Sequence, residues 1–270
     1  MSPDFVHLHT HSSYSPMWGT STLEALCEAV RSQGHDTFAL TDTNGLYGAI
    51  RFLEVAKRAG LKPILGTEII QAQHRAVLLA KSPEGYGNLC RLLSARHEDE
   101  PFEFIETIQR YRAGLVILSD DFQALTAWRA QSGEDLYVEL TPGADLQKAV
   151  SFSRQNCIPP VATTRAALLR PTDFEAHRLL RAIAENTTLS RLPPDCCCAP
   201  SHWLMPSSVM ARALPHVPEA LSNTRRIANQ CATAWDFQTT IFPSFREMSA
   251  DGAVETLRAK TYNGAVWRYG

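Results

Sequence analysis

The sequence lacks an excess of basic residues. Its 270 residues include 26 Lys and Arg against 28 Asp and Glu, which gives a formal net charge of −2. A domain that wraps nucleic acid by itself usually carries surplus Lys and Arg to neutralise the phosphates. Tight, autonomous DNA binding is therefore not expected of this segment. The GxxxxGK[ST] pattern is also absent, which excludes phosphate binding by a P-loop.

Long apolar runs and a secretory signal are absent as well. No run approaches the roughly 18 residues that a membrane helix needs. The N-terminal stretch MSPDFVHLHTH has neither the basic region nor the apolar region of a signal peptide. These features predict a cytoplasmic protein.

The seven cysteines show no CxxC spacing. Cys196, Cys197 and Cys198 are adjacent, and neighbouring side chains diverge too much to hold one ion easily. An odd number of cysteines in a chain without a secretory signal favours free thiols over disulfides.

What the sequence does contain is an alternation of short apolar runs with amphipathic helical stretches. Such alternation is typical of a parallel β/α barrel or a doubly wound α/β sheet. After about residue 170 the pattern becomes mainly helical, which predicts a helical C-terminal extension. The strand candidates are residues 6–11, 37–42, 63–70, 75–80, 114–119, 136–140 and 159–164.

Three histidines alternate in the first strand candidate. Because side chains repeat every two residues along a strand, His7, His9 and His11 are predicted to share one face. Three imidazoles at a strand end form a wall that could bind a metal ion. An exposed or hydrogen-bonded histidine edge is the alternative interpretation.

Two carboxylates end the next strands. Asp42 closes the second candidate, in ALTD, and Glu68 falls near the end of the third, in GTEI. Parallel α/β folds carry functional groups at such strand ends. Each carboxylate alone could equally be a cap, a turn residue or part of a rim ion pair. Together with HLHTH they predict a site of metal-binding ancestry.

At this point the sequence resembles a known family, the polymerase and histidinol phosphatase (PHP) domain at the start of bacterial DNA polymerase III α subunits, which are family C polymerases. The resemblance is carried by FVHLHTHSSYS, FALTDTNGLYGAIRF, GLKPILGTE and VLLAKSPEGYGNLCRLLS, and VATTRAALLR, PEALSNTRRIANQC and WRYG extend it over essentially the whole chain. It implies a distorted, TIM-barrel-like seven-stranded (β/α) barrel. Intact members hold up to three metal ions with about nine His, Asp, Glu and Cys ligands and hydrolyse phosphoesters or pyrophosphate. The resemblance also implies a barrel with helical additions over 1–240 and, over 241–270, the truncated start of the segment that leads to the polymerase palm.

The ligand positions carry over only in part. His9 and His11 match the first HxH pair of the family, and Glu68 matches its third-strand carboxylate. Trp18 stands where the family has an aspartate, and Thr43 where it has the histidine of TDH.

The later ligand positions depart further. Arg75 takes the place of a histidine that begins a strand, with His74 one residue away. Arg165 and Ala167 replace the aspartate and histidine of a late NDxH pair, and Asp121 lies near the family's cysteine position.

These departures all make the site less suited to binding several metal ions. A multinuclear site needs carboxylates and neutral imidazoles to offset the charge of its ions, whereas Arg75 and Arg165 place fixed positive charge there. The resemblance therefore implies a degenerate site, with no ion or one weakly bound Zn, Mn or Mg at His9, His11 and Glu68, and not the full three-metal site. An alternative is that Arg75 or Arg165 pairs with Glu68 and Asp42, so that salt bridges hold the barrel mouth together.

Two functions remain open at the level of sequence. The chain shows no acidic pair of the kind that a polymerase palm uses, so we expect no polymerisation by this segment and assign it no catalytic residue. The first hypothesis is a structural or docking module whose partners are the remainder of a polymerase chain, a proofreading exonuclease subunit, and DNA through the full-length polymerase. The second is an active metal-dependent phosphoesterase or 3′–5′ exonuclease that uses His9, His11, Glu68 and Asp42. A replicative and an error-prone parent polymerase are equally compatible with the sequence.

Overall fold

A computed structural model describes residues 5–98, 101–143, 145–237 and 245–270. Six strands form one sheet in chain order. The strands are β1 (Thr37–Leu40), β2 (Lys62–Gln71), β3 (His74–Ala80), β4 (Leu115–Ser119), β5 (Leu136–Leu140) and β6 (Pro160–Ala162). The helices are α1 (Leu23–Ser32), α2 (Ala49–Ala59), α3 (Pro83–Glu98), α4 (Phe104–Tyr111), α5 (Phe122–Gln131), α6 (Leu146–Asn156), α7 (Phe174–Ala184), α8 (Ser207–Ala213), α9 (Pro218–Gln230) and α10 (Ala250–Tyr269).

The N-terminal segment (residues 5–11) takes the place of a seventh strand. On one side, the amide of Ala39 in β1 donates to the carbonyl of His7 at 2.8 Å. On the other side, the amide of His11 donates to the carbonyl of Ala166, just after β6, at 2.9 Å. Because the segment bonds to both edges, the sheet closes on itself. The predicted α/β fold with a distorted barrel is confirmed.

The strand directions differ from the expected parallel arrangement. β3 runs antiparallel to both β2 and β4, while the other neighbouring strands are parallel. Only Ala72 and Gln73 lie between β2 and β3, and so short a connection makes a hairpin and leaves no room for a crossover helix. Ala72 adopts the left-handed conformation that this turn requires, with φ of +51°.

An apolar cluster fills the barrel, and a polar layer continues it at one end. Ile64 of β2 and Tyr137 of β5 belong to the apolar cluster. Glu68 and Glu139 lie four and two residues further along the same strands, so they point to the same side because strand side chains repeat every two residues. An even number of residues likewise separates each of the other three polar residues from a member of the apolar cluster. The pairs are Arg75 and Val77, Asp120 and Leu118, and Arg165 and Val161.

The chain divides into two compact units after Ala234. The first contains the barrel and α1 to α9, and the second begins at Trp235 and contains α10. No residue of α10 is buried, and its Trp267 is 86% exposed. The domain boundary that the resemblance implies, between residues 240 and 241, lies outside the described residues. Among the described residues, no helix combines the length and the apolar character needed to cross a membrane.

Candidate functional site

Six side chains at the barrel mouth form a closed chain of contacts, which we call the ion-pair ring. Its members are His9, Glu139, Arg165, Asp120, Arg75 and Glu68. In that order, the contacts are His9 Nδ1–Glu139 Oε1 at 2.6 Å, Glu139 Oε2–Arg165 Nη2 at 2.7 Å, Arg165 Nη2–Asp120 Oδ2 at 2.7 Å, Asp120 Oδ2–Arg75 Nη2 at 2.8 Å, Arg75 Nε–Glu68 Oε1 at 3.9 Å and Glu68 Oε1–His9 Nε2 at 3.3 Å. The ring joins the N-terminal segment, β2, β3, β5 and the residues that follow β4 and β6.

The carboxylates of the ring are ionised despite their burial. Burial opposes ionisation of Glu139, but Arg165 and His9 hold its pKa well below the usual range. Burial also opposes ionisation of Glu68, but His11, His9 and Arg75 lower its pKa to about 2. The pKa of Asp120 is likewise lowered, since Arg165 and Arg75 outweigh the effect of burial.

The ring is therefore short of one positive charge. Three carboxylates (Glu68, Asp120 and Glu139) face two guanidiniums (Arg75 and Arg165). A proton on the sixth member, His9, makes up the difference. Burial alone would lower the pKa of this imidazole, but the carboxylates of Glu139 and Glu68 raise it.

Three side chains lie close together at one side of the ring, those of His9, His11 and Glu68, and we call them the donor triangle. His9 Nε2 lies 3.1 Å from His11 Nε2 and 3.3 Å from Glu68 Oε1, and His11 Nε2 lies 3.6 Å from Glu68 Oε2. The His9 Nδ1–H donates to Glu139. The His11 Nδ1 lies 3.2 Å from Ser15 Oγ, whose own hydrogen goes to a carboxylate, so this Nδ1 carries the hydrogen too. Two Nε2 lone pairs therefore face each other, and a proton or a cation must lie between them.

The donor triangle fits one divalent ion. Ligands at 2.0–2.1 Å from a tetrahedral ion are about 3.3 Å apart. The two Nε2 atoms are 3.1 Å apart, and each lies 3.3 or 3.6 Å from one of the two oxygens of Glu68. Glu139 holds the Nδ1–H of His9 as an outer carboxylate holds a metal-binding imidazole. Within the described ranges, His9, His11 and Glu68 are the one group of His, Cys, Asp or Glu side chains with metal-binding spacing.

Asp42 does not join the ring. Its carboxylate accepts from the Ser12 amide at 2.7 Å, from Ser12 Oγ at 2.8 Å and from Ser15 Oγ at 2.7 Å. The alternative that Arg75 or Arg165 pairs with Glu68 and Asp42 is thus confirmed only for Glu68, which lies 3.9 Å from Arg75. It is wrong for Asp42, because this carboxylate is already satisfied by the loop after the N-terminal segment. Burial raises its pKa. Its contribution to the site is indirect, since it orients Ser15 and through it His11.

His7 points away from the site, in contrast to the predicted shared face. Its Nε2 lies 3.3 Å from Gln33 Oε1, and its ring packs edge-on against His35. The next residue, Leu8, faces the barrel core. The N-terminal segment is not a continuous strand, so the alternation of side chains breaks between Leu8 and His9. Burial, followed by His35, lowers the pKa of His7 to about 3.

Asp121, which was predicted near the family's cysteine position, is not a member of the ion-pair ring. Asp121 caps α5 by accepting from the Ala124 amide, and it lies 2.5 Å from His74 Nδ1. Its neighbour Asp120 enters the ring instead. Neighbouring residues at the end of a strand point to opposite faces. His74 and Arg75 are related in the same way, since His74 contacts Asp121 and Arg75 contacts Asp120.

Sequence reasoning missed Glu139 and His202. Glu139 stands near the end of β5, in LYVEL, so the strand-end rule that selected Asp42 and Glu68 would have found it. His202 carries no comparable signal. Its carbonyl accepts from the Ala167 amide at 3.0 Å, which brings a distant loop to the barrel mouth. Burial, followed by Arg165, lowers the pKa of His202 to about 3.

At three other positions this sequence lacks the family's metal ligand, namely Trp18, Thr43 and Ala167, and these side chains make contacts within the protein. Trp18 packs against the buried cluster that contains Ala167 and Cys198. His177 joins two parts of this region, since its Nδ1–H donates to the Trp18 carbonyl at 2.8 Å and its Nε2 accepts from the Cys198 amide at 2.9 Å. Thr43 Oγ1 donates to Glu68 at 3.1 Å. Trp18 and Ala167 therefore belong to an apolar cluster, whereas Thr43 supports Glu68.

Comparisons with known proteins agree on one family. Residues 7–140 match the PHP domain. An error-prone DNA polymerase of Symbiobacterium thermophilum is 29% identical over 98% of this chain and 29% of its own length. The DNA polymerase III subunit alpha of Vibrio cholerae is 28% identical over 90% of this chain and 24% of its own, and that of Buchnera aphidicola subsp. Schizaphis graminum is 31% identical over 84% and 23%.

The chain spans about a quarter of the length of these curated relatives. Among solved structures, a two-domain protein from Bacteroides vulgatus that contains a predicted PHP-like metal-dependent phosphoesterase aligns with 83% of this chain and 66% of its own, at 13% identity and a TM-score of 0.46. The family match and the curated relatives carry the assignment. The chain contains a PHP domain and is homologous, over most of its length, to bacterial DNA polymerase III α subunits.

Proposed function

We propose that this chain is a structural PHP module of a DNA polymerase III α-type polymerase in the cytoplasm. The observation that carries the proposal is the position of Arg165, whose guanidinium lies between Glu139 and Asp120 at the barrel mouth. An ion pair thus lies at the mouth of this barrel, whereas an intact PHP site is built around several metal ions. The homology to polymerase III α subunits supplies the polymerase context.

The charge of the ring supports a structural role. One proton on His9 balances the three carboxylates and two guanidiniums of the ring. A divalent ion in the donor triangle displaces that proton and leaves the ring with one positive charge in excess. We therefore propose that His9, His11 and Glu68 bind at most one Zn, Mn or Mg ion, and bind it weakly.

The ring offers a mechanical role in place of catalysis. It links the N-terminal segment to β2, β3 and β5 and to the residues that follow β4 and β6, so it ties the barrel closed at its mouth. Removing one partner from such a buried network leaves a charge without compensation, which costs about 3–5 kcal/mol. The ion pairs thus hold together the end of the barrel at which an intact PHP site binds its metals.

The partners follow from the polymerase context. We propose the remainder of a polymerase chain as the first partner, because the curated relatives are about four times longer than this segment. A proofreading exonuclease subunit and DNA, the latter through the full-length polymerase, are further proposed partners. The formal net charge of −2 argues against tight DNA binding by the segment itself.

The second candidate function is an active metal-dependent phosphoesterase or 3′–5′ exonuclease, and the donor triangle favours it. Metal analysis of the purified chain, together with hydrolysis of a generic phosphodiester in Mn²⁺ or Zn²⁺, separates the two functions. A structural module contains less than one ion per chain and turns over no faster than the Glu68→Gln variant. One or more ions per chain with turnover that Glu68→Gln abolishes would establish the phosphoesterase instead.

A further inference from the structure

The guanidinium of Arg165 contacts two carboxylates. Its Nη2 lies 2.7 Å from Asp120 Oδ2 and 2.7 Å from Glu139 Oε2, and its Nε lies 3.1 Å from the same Glu139 oxygen. The side chain is 9% exposed. One nitrogen is thus shared by two carboxylates from different strand ends, which marks a point where the protein stabilises a cation.

The backbone at Arg165 directs the side chain to this point. Arg165 has a φ of +46°, in the left-handed region that L-residues rarely adopt. The next residue, Ala166, is held by two backbone hydrogen bonds to the N-terminal segment, at 2.9 Å with His11 and 3.1 Å with His9. The strained turn is therefore fixed by the closure of the barrel.

The two carboxylates form a position separate from the donor triangle. Glu139 uses Oε1 to accept from His9 and from Thr163 Oγ1, which leaves Oε2 for Arg165. Asp120 contacts Arg75 and Arg165, and it is not part of the group with metal-binding spacing. Without Arg165, Asp120 and Glu139 lose the guanidinium that they share, and an entering cation would replace its positive charge.

We propose that Asp120 and Glu139 form a second cation site that Arg165 permanently occupies as a tethered cation, and that a divalent ion such as Mn²⁺ enters this site once the guanidinium is removed. The inference rests on the proposed function, since it identifies what keeps the mouth of the structural module free of a second ion. Carboxylate oxygens are the ligands that Mn²⁺ prefers.

The test measures Mn²⁺ binding to the full 270-residue chain by electron paramagnetic resonance. We expect Arg165→Ala to gain a Mn²⁺ site roughly tenfold or more tighter than any site of the unsubstituted chain, because a repelling charge is lost beside two carboxylates. Arg225→Ala, which removes an arginine paired with Asp36 outside the ring, is the matched control and gains nothing. Asp120→Asn added to Arg165→Ala removes the gain, and millimolar guanidinium competes with the ion.

Two further variants keep the test decisive if Arg165→Ala folds poorly. Arg165→Gln removes the charge and keeps a polar side chain, so it is expected to gain the site, whereas Arg165→Lys keeps the charge and gains none. If a neutral variant is unfolded without metal, Mn²⁺ must restore its circular dichroism spectrum. Unchanged Mn²⁺ affinity in a folded neutral variant, a gain that survives Asp120→Asn, or an unfolded variant that Mn²⁺ leaves unfolded would each overturn the inference. Failure of the proposed function is a different result, namely phosphodiester turnover by the unsubstituted chain.

Discussion

Arg165 and Glu139 form a two-point ion pair at the barrel mouth, with Nη2 at 2.7 Å and Nε at 3.1 Å from the same carboxylate oxygen. The other oxygen of Glu139 accepts from His9 at 2.6 Å. One carboxylate thus connects the N-terminal segment to Arg165, in the segment after β6, on the two sides of the junction that closes the barrel.

The first prediction concerns this connection. Glu139→Gln is expected to lower the free energy of unfolding by about 3–5 kcal/mol, because Arg165 and His9 both lose a buried partner. Urea denaturation measures the change. Glu54→Gln removes an exposed carboxylate that pairs with Arg51 on the surface, and it is expected to leave stability unchanged within error. Equal effects of the two substitutions would show that the ring contributes no more than a surface pair.

The second prediction concerns metal removal. Treatment with a chelator is expected to leave the melting temperature of the chain nearly unchanged, because ion pairs and not metal ions close the barrel mouth. Differential scanning fluorimetry with and without EDTA measures this. The Glu68→Gln variant, which lacks one corner of the donor triangle, serves as the control for any small shift that added Zn²⁺ produces. A fall of many degrees in the chelated protein would mean that the fold depends on a bound ion.

The third prediction concerns pH and His177. Burial lowers the pKa of this imidazole, which bonds to Trp18 and Cys198 in its neutral form. In the unfolded chain it titrates near the ordinary value of about 6.5. Its contribution is therefore fully present above pH 6.5 and is lost as the pH falls, because the unfolded state takes up a proton that the folded state does not.

The measurement is the free energy of unfolding at several pH values between 7.5 and 5. The slope of the unsubstituted chain is expected to exceed that of His177→Gln by at most about 1.4 kcal/mol per pH unit, the value for one proton. Parallel curves for the unsubstituted chain and His177→Gln would contradict the expectation.

The fourth prediction concerns Gly19, in the loop that orients Ser15 and Asp42. A Cβ atom at Gly19 would lie 1.9 Å from the carbonyl oxygen of Ser12, so the backbone would have to move. Gly19→Ala is expected to destabilise the chain by several kcal/mol, by analogy with other severe overpacking. Gly264→Ala, in open space on α10, should be neutral or slightly stabilising. Thermal unfolding of both variants tests the pair, and a harmless Gly19→Ala would refute the close approach.

Much of the architecture could be predicted because it depends on local patterns. The apolar runs located all six strands, and the helical pattern predicted after about residue 170 corresponds to α7, α8, α9 and α10. The antiparallel direction of β3 was accessible in principle from the two-residue connection at Ala72 and Gln73. The closure by the N-terminal segment was expected only from the resemblance to a barrel family. No local pattern of residues predicts pairing between positions near 10 and 166.

The site was less predictable because it depends on single-residue register. Strand periodicity does not reveal a break, so His7 was placed on the wrong face beside His9. Asp120 and Asp121 are adjacent in sequence, and only the position of the α5 cap decides which of them faces the ring. His202 reaches the mouth through a long-range contact with Ala167, for which the sequence contains no signal.

Anomalous diffraction from crystals equilibrated with Mn²⁺ distinguishes a barrel mouth held by ion pairs from one that holds several metal ions. We expect at most one partially occupied peak, among His9, His11 and Glu68, with the guanidinium of Arg165 between Asp120 and Glu139. Two or more fully occupied peaks at the barrel mouth, with Arg165 displaced from its two carboxylates, would contradict this expectation.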